Sequence, residues 1–155
     1  MSLPAKQTLV LGLGNPLRGD DGLGPAVIRW MQARGLPRGA TAIDAGTRGL
    51  DVLLTLAEYR RVFVVDAAGV GRAPGEWLRI APDLRRLGVE TPALSCHAAG
   101  LVDALALGAA LGVLPEQVII FGVQPARVDW SPELSAEVRK AVPAVGRAIL
   151  SEIGR

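Results

Sequence analysis

Two carboxylates and one imidazole, Asp21, Asp66 and His97, each stand where a loop is expected to leave a strand or enter a helix. Two oxygen donors and one neutral nitrogen make a mixed set able to hold Zn, Ni, Fe, Co or Mn while leaving positions for water or substrate. Ligand type alone does not choose among these ions. His97, the only histidine, follows Ser95-Cys96 at the expected amino end of a helix. The helix dipole there disfavours imidazolium and keeps the nitrogen lone pair available, so ligation or catalysis is favoured over a satisfied core or surface role. Asp66 ends an apolar strand, where a carboxylate must be met by water, donors or a cation. Asp20 and Asp21 would serve equally as helix caps or dipole partners. Gly22, Leu23 and Gly24 before Pro25 nevertheless leave Asp21 in a permissive loop, from which a carboxylate reaches a crevice.

The elements that must position these groups read as alternating strands and helices around a mainly parallel sheet. Thr8 to Leu13 is expected as a buried strand, followed by a helix over Pro25, Val27, Ile28 and Met31 that Gly35 and Pro37 stop. Thr41 to Asp44 forms a second strand and Leu50 to Ala57 a short helix. Val62-Phe63-Val64-Val65 is the clearest strand, its unbroken β-branched and aromatic run implying burial on both faces. Glu76 to Ile80, bounded by Pro74 and Pro82, is placed near an edge with its direction open. A polar connection over Leu84 to Leu94 precedes a helix capped by Ser95, with Ala98, Leu101, Val102, Leu105, Ala106 and Ala109 as its packing face. Gln117 to Val123 is the last strand, and a final helix starts at Ser131, with Pro143 as a kink point. The expectation is one domain over residues 1–155, an α/β three-layer α/β/α sandwich with a twisted sheet of about five strands. In such a sheet ligands gather beyond the carboxyl ends of the strands, and short connections place all three residues at that edge.

Several functions are disfavoured. The chain of 155 residues is 50% hydrophobic, which argues against disorder, and its apolar stretches are too short and glycine-rich to span a bilayer. No membrane insertion is expected, and the start lacks secretory character, so the expected location is the cytoplasm. One cysteine excludes an internal disulfide framework. The net charge is +2 and no basic run exceeds two residues, so no nucleic acid partner is expected. Gly12-Leu13-Gly14 resembles the start of a dinucleotide fingerprint, yet Leu17 stands where the third glycine belongs and Asp20-Asp21 would repel a pyrophosphate. No G-K-[ST] follows the loop either. NAD, FAD and ATP are therefore not expected. Cys96 as a nucleophile beside His97 is awkward, because neighbours on a helix diverge by ~100°. It reads as a small packing residue.

Taken in order, Gly12-Leu13-Gly14-Asn15, Asp20-Asp21-Gly22-Leu23-Gly24, Asp44-Ala45-Gly46-Thr47-Arg48-Gly49, Val65-Asp66-Ala67, Ser95-Cys96-His97 and Phe121-Gly122-Val123-Gln124-Pro125 resemble the hydrogenase maturation endopeptidases. With the Leu134 to Val138 segment, the resemblance covers nearly the whole chain. It implies removal of a C-terminal extension from the precursor of the [NiFe] hydrogenase large subunit, after nickel insertion. It also carries metal-contacting and catalytic roles onto Asp21, Asp66 and His97, with nickel recognised in the precursor instead of held permanently. Many relatives have glutamate where this chain has Asp21, a shortening by one methylene that keeps the charge.

Asn15, Asp44, Thr47, Arg48 and Gln124 are candidates for the substrate groove. Asn15 would brace the Asp20-Asp21 turn or donate to a substrate carbonyl, Arg48 would meet a precursor carboxylate, and Gln124 would contact a substrate backbone or, beside Pro125, shape a turn. The protein is expected to act as a monomer. An ordinary metal-dependent amidase or aminopeptidase and a non-enzymatic hydrogenase assembly adaptor are the competing readings.

Overall fold

The computed structural model describes residues 6–47, 52–84 and 98–154. Strand β1 (Lys6–Leu13) buries Leu9, Val10, Leu11 and Leu13 and is followed by a 3-10 turn over Gly19–Gly22 and helix α1 (Leu23–Arg34). Pro25 lies in the first turn of α1, where its missing N–H costs nothing, and Val27, Ile28 and Met31 form the buried stripe. Then come β2 (Ala40–Gly46), α2 (Val52–Leu56), β3 (Tyr59–Ala67), β4 (Trp77–Ile80), α3 (Ala98–Leu111), β5 (Gln117–Val123) and α4 (Ala136–Ile153).

The strands lie in the order β2-β1-β3-β5-β4. β1 pairs in parallel with β2 and β3, and β3 in parallel with β5. β4, whose direction the sequence left open, closes one edge antiparallel to β5, with Trp77 opposite Val123 and Ile80 opposite Ile120. Alternate residues of the central strands feed two cores. Val10, Phe63, Val65, Ile119 and Phe121 pack with α1 and α4, through Val27, Met31, Val142 and Ile149. Leu9, Leu11, Val62, Val64, Val118 and Ile120 pack with α2 and α3, through Val52, Leu56, Leu101 and Leu105. The expected α/β/α sandwich is the fold observed.

Two local differences have clear causes. The final helix starts at Ala136 instead of Ser131, because Ser131 is drawn into a bridge with Arg18 while Ser135 caps the helix by accepting from Val138 N–H. The second strand runs past Asp44 to Gly46, with a bulge that sets Gly12 opposite Asp44 but Leu13 opposite Gly46. The extra residue, Ala45, re-aims the end of β2, a common device at the edge of a site. Among the described residues no helix is long and apolar enough to cross a membrane.

Candidate functional site

The chain order creates one crevice. After β1 the path turns outward to β2, whereas β3 leads the other way to β5, so the carboxyl ends of β1 and β3 flank the point where strand order reverses. Asp21 follows β1 and Asp66 is the penultimate residue of β3. Asp66 shares the parity of Val62 and Val64 along β3, which turns it toward the α2/α3 layer. Only the short segment 112–116 joins α3 to the start of β5, so the amino end of α3, at Ala98, is carried to the carboxyl edge of the sheet. His97 immediately precedes that helix in sequence, but His97, Cys96, Ser95 and Arg48 lie outside the described residues, as does most of the Leu84 to Leu94 connection.

Glycine makes the crevice tight. A Cβ on Gly24 would stand 2.2 Å from the Leu13 carbonyl oxygen and 2.8 Å from that of Val65, so the first turn of α1 lies directly on the ends of both strands. Gly14, at φ +124°, has the Asp21 carbonyl where a Cβ would be. These glycines therefore serve close backbone packing of α1 and the turn against the strand ends.

The expected permissive loop around Asp21 is instead a buried 3-10 turn. Asp21 is 2% exposed, and its Oδ2 accepts the Asn15 backbone N–H at 2.8 Å. Asp66 is 3% exposed, and its Oδ1 has no hydrogen-bond partner among the described residues. Burial first, and then the charge of Asp21, push the Asp66 carboxyl up to about 8, against a hydrogen bond from the Ala67 N–H. Near neutral pH Asp66 thus holds its proton beside the Asp21 carboxylate. Among the described residues no third His, Cys, Asp or Glu joins them to complete a metal-ligand group.

Asp20 does something different from its neighbour. Fully buried, it accepts N–H groups from Ala126 (2.8 Å), Arg127 (3.0 Å) and Ser135 (2.7 Å), and the Ser135 hydroxyl at 2.8 Å. Burial alone would raise its carboxyl, but the bonds from Ser135, Arg127 and Ala126 outweigh it and hold the group below the usual carboxylate range. Its role is to latch the first turn to the start of α4. The sequence showed only an acid beside an acid, with no sign of the distant donors. Because the folded value is depressed, the stabilisation is present above the unfolded value of 3.8 and disappears as pH falls through the folded one. Asp20→Asn is expected to lose roughly 2–4 kcal/mol at pH 7. Urea unfolding should show the gap from wild type narrowing below about pH 4.

The groove candidates have local duties. Asn15 Oδ1 accepts the Leu17 N–H at 2.9 Å, while its backbone N–H donates to Asp21. Asp44 is exposed and accepts Gly46 N–H at 3.0 Å, and Thr47 is exposed beside it. Gln124 Oε1 accepts Val70 N–H at 2.8 Å, fixing the segment after β3.

A family model described as hydrogenase maturation protease matches residues 25–152, a span that includes Asp66 and begins just after Asp21. The hydrogenase expression/formation protein HupD of Rhizobium leguminosarum bv. viciae is 34% identical over 143 residues, covering 91% of this chain and 71% of that protein. Among solved structures, the hydrogenase 2 maturation peptidase from a Thaumarchaeota archaeon is 33% identical with a TM-score of 0.76, covering 96% of this chain and 99% of its own. An endopeptidase from Escherichia coli superposes with a TM-score of 0.84 at 26% identity, covering 94% and 90% of the two chains.

Proposed function

The chain belongs to the hydrogenase maturation protease family, and from that premise we propose that it removes the C-terminal extension of a [NiFe] hydrogenase large-subunit precursor once nickel has been inserted. The observation that carries the reading is the buried Asp66, one oxygen of which has no hydrogen-bond partner among the described residues, within electrostatic reach of Asp21 at the switch point of the sheet. A buried carboxyl with one oxygen unsatisfied among the described residues is a cost to the fold, and such costs collect where chemistry is done.

A buried carboxyl that keeps its proton, set near a second carboxyl, is suited to opening a peptide bond. The Asp21 carboxylate accepts a proton from an attacking water, while the Asp66 carboxyl donates one to the scissile amide. The same pair would supply oxygen donors for a nickel ion that the precursor already holds, Asp66 through the oxygen that does not carry its proton, so the proton stays available for the amide. Recognition and cleavage then draw on the same groups, so a precursor without nickel presents nothing to engage them. His97 is the proposed third, nitrogen, contact, and Arg48 the proposed contact to a precursor carboxylate.

Purified chain mixed with precursor prepared with and without nickel, followed by mass measurement of the precursor C-terminus, tests this. The tail is expected to leave only the nickel-loaded form, with at least about 100-fold less product from the other. Equal cleavage of both forms defeats the nickel requirement. Binding without any cleavage would instead favour an assembly adaptor.

A further inference from the structure

The turn that carries Asp21 is stitched to a second segment whose side chains the proteolytic chemistry leaves unused. Gly19 N–H donates to the Ser131 carbonyl at 2.7 Å, Ser131 N–H to the Leu17 carbonyl at 2.9 Å, and Asp20 N–H to the Arg127 carbonyl at 3.1 Å. Trp130 is therefore fixed by pairing at its neighbour Ser131, yet its side chain is 77% exposed, beside Leu17 at 59% and Val128 at 41%. The Arg18 guanidinium lies over the indole, 5.4 Å from its centroid, and Arg18 Nε is buried with no hydrogen-bond partner among the described residues. Arg127 adds a half-exposed cation, 3.9 Å from Asp129.

An exposed indole next to aliphatic groups, on backbone paired at its neighbour, buries much apolar area on binding, which is the make-up of an interface anchor. A half-buried guanidinium lying over that indole is a cation able to meet a partner's carboxylate through its terminal nitrogens. These side chains are contiguous with the turn that carries Asp21, so a partner whose tail reaches the carboxylate pair lays its body over them. The Arg18 carbonyl accepts Asp21 N–H at 3.1 Å, so whatever seats here is delivered beside the carboxylate pair.

We propose that Trp130, Leu17, Val128 and Arg18 form the platform on which the folded precursor docks, an apolar side chain lying on Trp130 and Leu17 and an acidic side chain received by Arg18. The assignment rests on the proteolytic reading for the identity of the partner. It makes this platform, separate from the nickel checkpoint, the element that selects which precursor is processed.

Trp130→Ala and Arg18→Gln are tested with the nickel-loaded large-subunit precursor from the same organism, measuring both the binding constant and the rate of tail release. Each variant is expected to weaken binding and raise KM about 10-fold or more, with kcat within about two-fold of wild type. Raising the salt from about 50 to about 500 mM should weaken wild-type binding several-fold and Arg18→Gln binding hardly at all. Unfolding midpoints within about 2 °C of wild type show that the fold is intact. Unchanged binding and KM in both variants overturns the platform, as does finding by sedimentation that these side chains instead pair two copies of this chain. Tail release never seen with wild type, while the variants still lose binding, sinks the proteolytic reading and leaves the docking surface standing.

Discussion

Asp66→Asn is expected to abolish tail release while making the protein harder to unfold. The loss of activity should be roughly 10²–10⁴-fold, since the amide cannot donate the same proton to the scissile bond. The stability gain follows from the pH dependence. The Asp66 carboxyl is raised from 3.8 to about 8 by folding, so between those values the folded chain binds the proton that the unfolded chain has lost. Wild-type stability therefore declines through this window as pH rises, by up to about 1.4 kcal/mol per pH unit from this group, and levels off above it. Asparagine has no such slope. Denaturant unfolding at pH 5 and pH 8 should show the variant's advantage growing to a few kcal/mol at the higher pH. A variant less stable than wild type at pH 8 would mean that Asp66 is well solvated or paired by a cation in the folded chain.

Gly24→Ala should unfold the protein far more readily, by about 3 kcal/mol or more. The added methyl would meet the Leu13 nitrogen at 2.7 Å and the carbonyl oxygens of Leu13 and Val65 at 2.2 and 2.8 Å, all of them backbone atoms of central strands that cannot step aside. Relief requires α1 to lift off the sheet, and that movement carries Asp21 away from Asp66. Gly69→Ala is the matched control, because nothing lies within 4 Å of its added methyl and its φ is not positive. It should change stability by less than about 0.5 kcal/mol. If both substitutions are equally mild, the close seating of α1 on β1 and β3 is wrong.

What could be read from the residues follows from where their constraints lie. β3 and β5 were legible because a strand buried on both faces must be apolar throughout, and Val62 to Val65 and Val118 to Phe121 are. The stripe of α1 was legible for the same reason at helical spacing. β4 was read as an edge from its prolines, but its direction depends on which strand accepts it, and nothing within Trp77–Ile80 records that. The start of α4 was misplaced because Ser131 and Ser135 look alike as caps, and the choice is made by Arg18 and Asp20 more than a hundred positions earlier. That Asp21 and Asp66 share one edge followed from short connections after parallel strands. The separate tasks of Asp20 and Asp21 did not, since adjacent identical side chains differ only in the partners that the fold brings to them.

The latch at Asp20 sets an order on assembly. Its hydrogen bonds reach residues 106, 107 and 115 positions further along the chain. Loop closure over such a span comes late, after the local helices and neighbouring strands have formed. Until the segment leading into α4 arrives, the acid at the mouth of the crevice lacks these donors. A nascent or C-terminally shortened chain should therefore hold most of its sheet while the turn that carries Asp21 still lacks its anchor, so that the crevice is finished only when the last helix is in place.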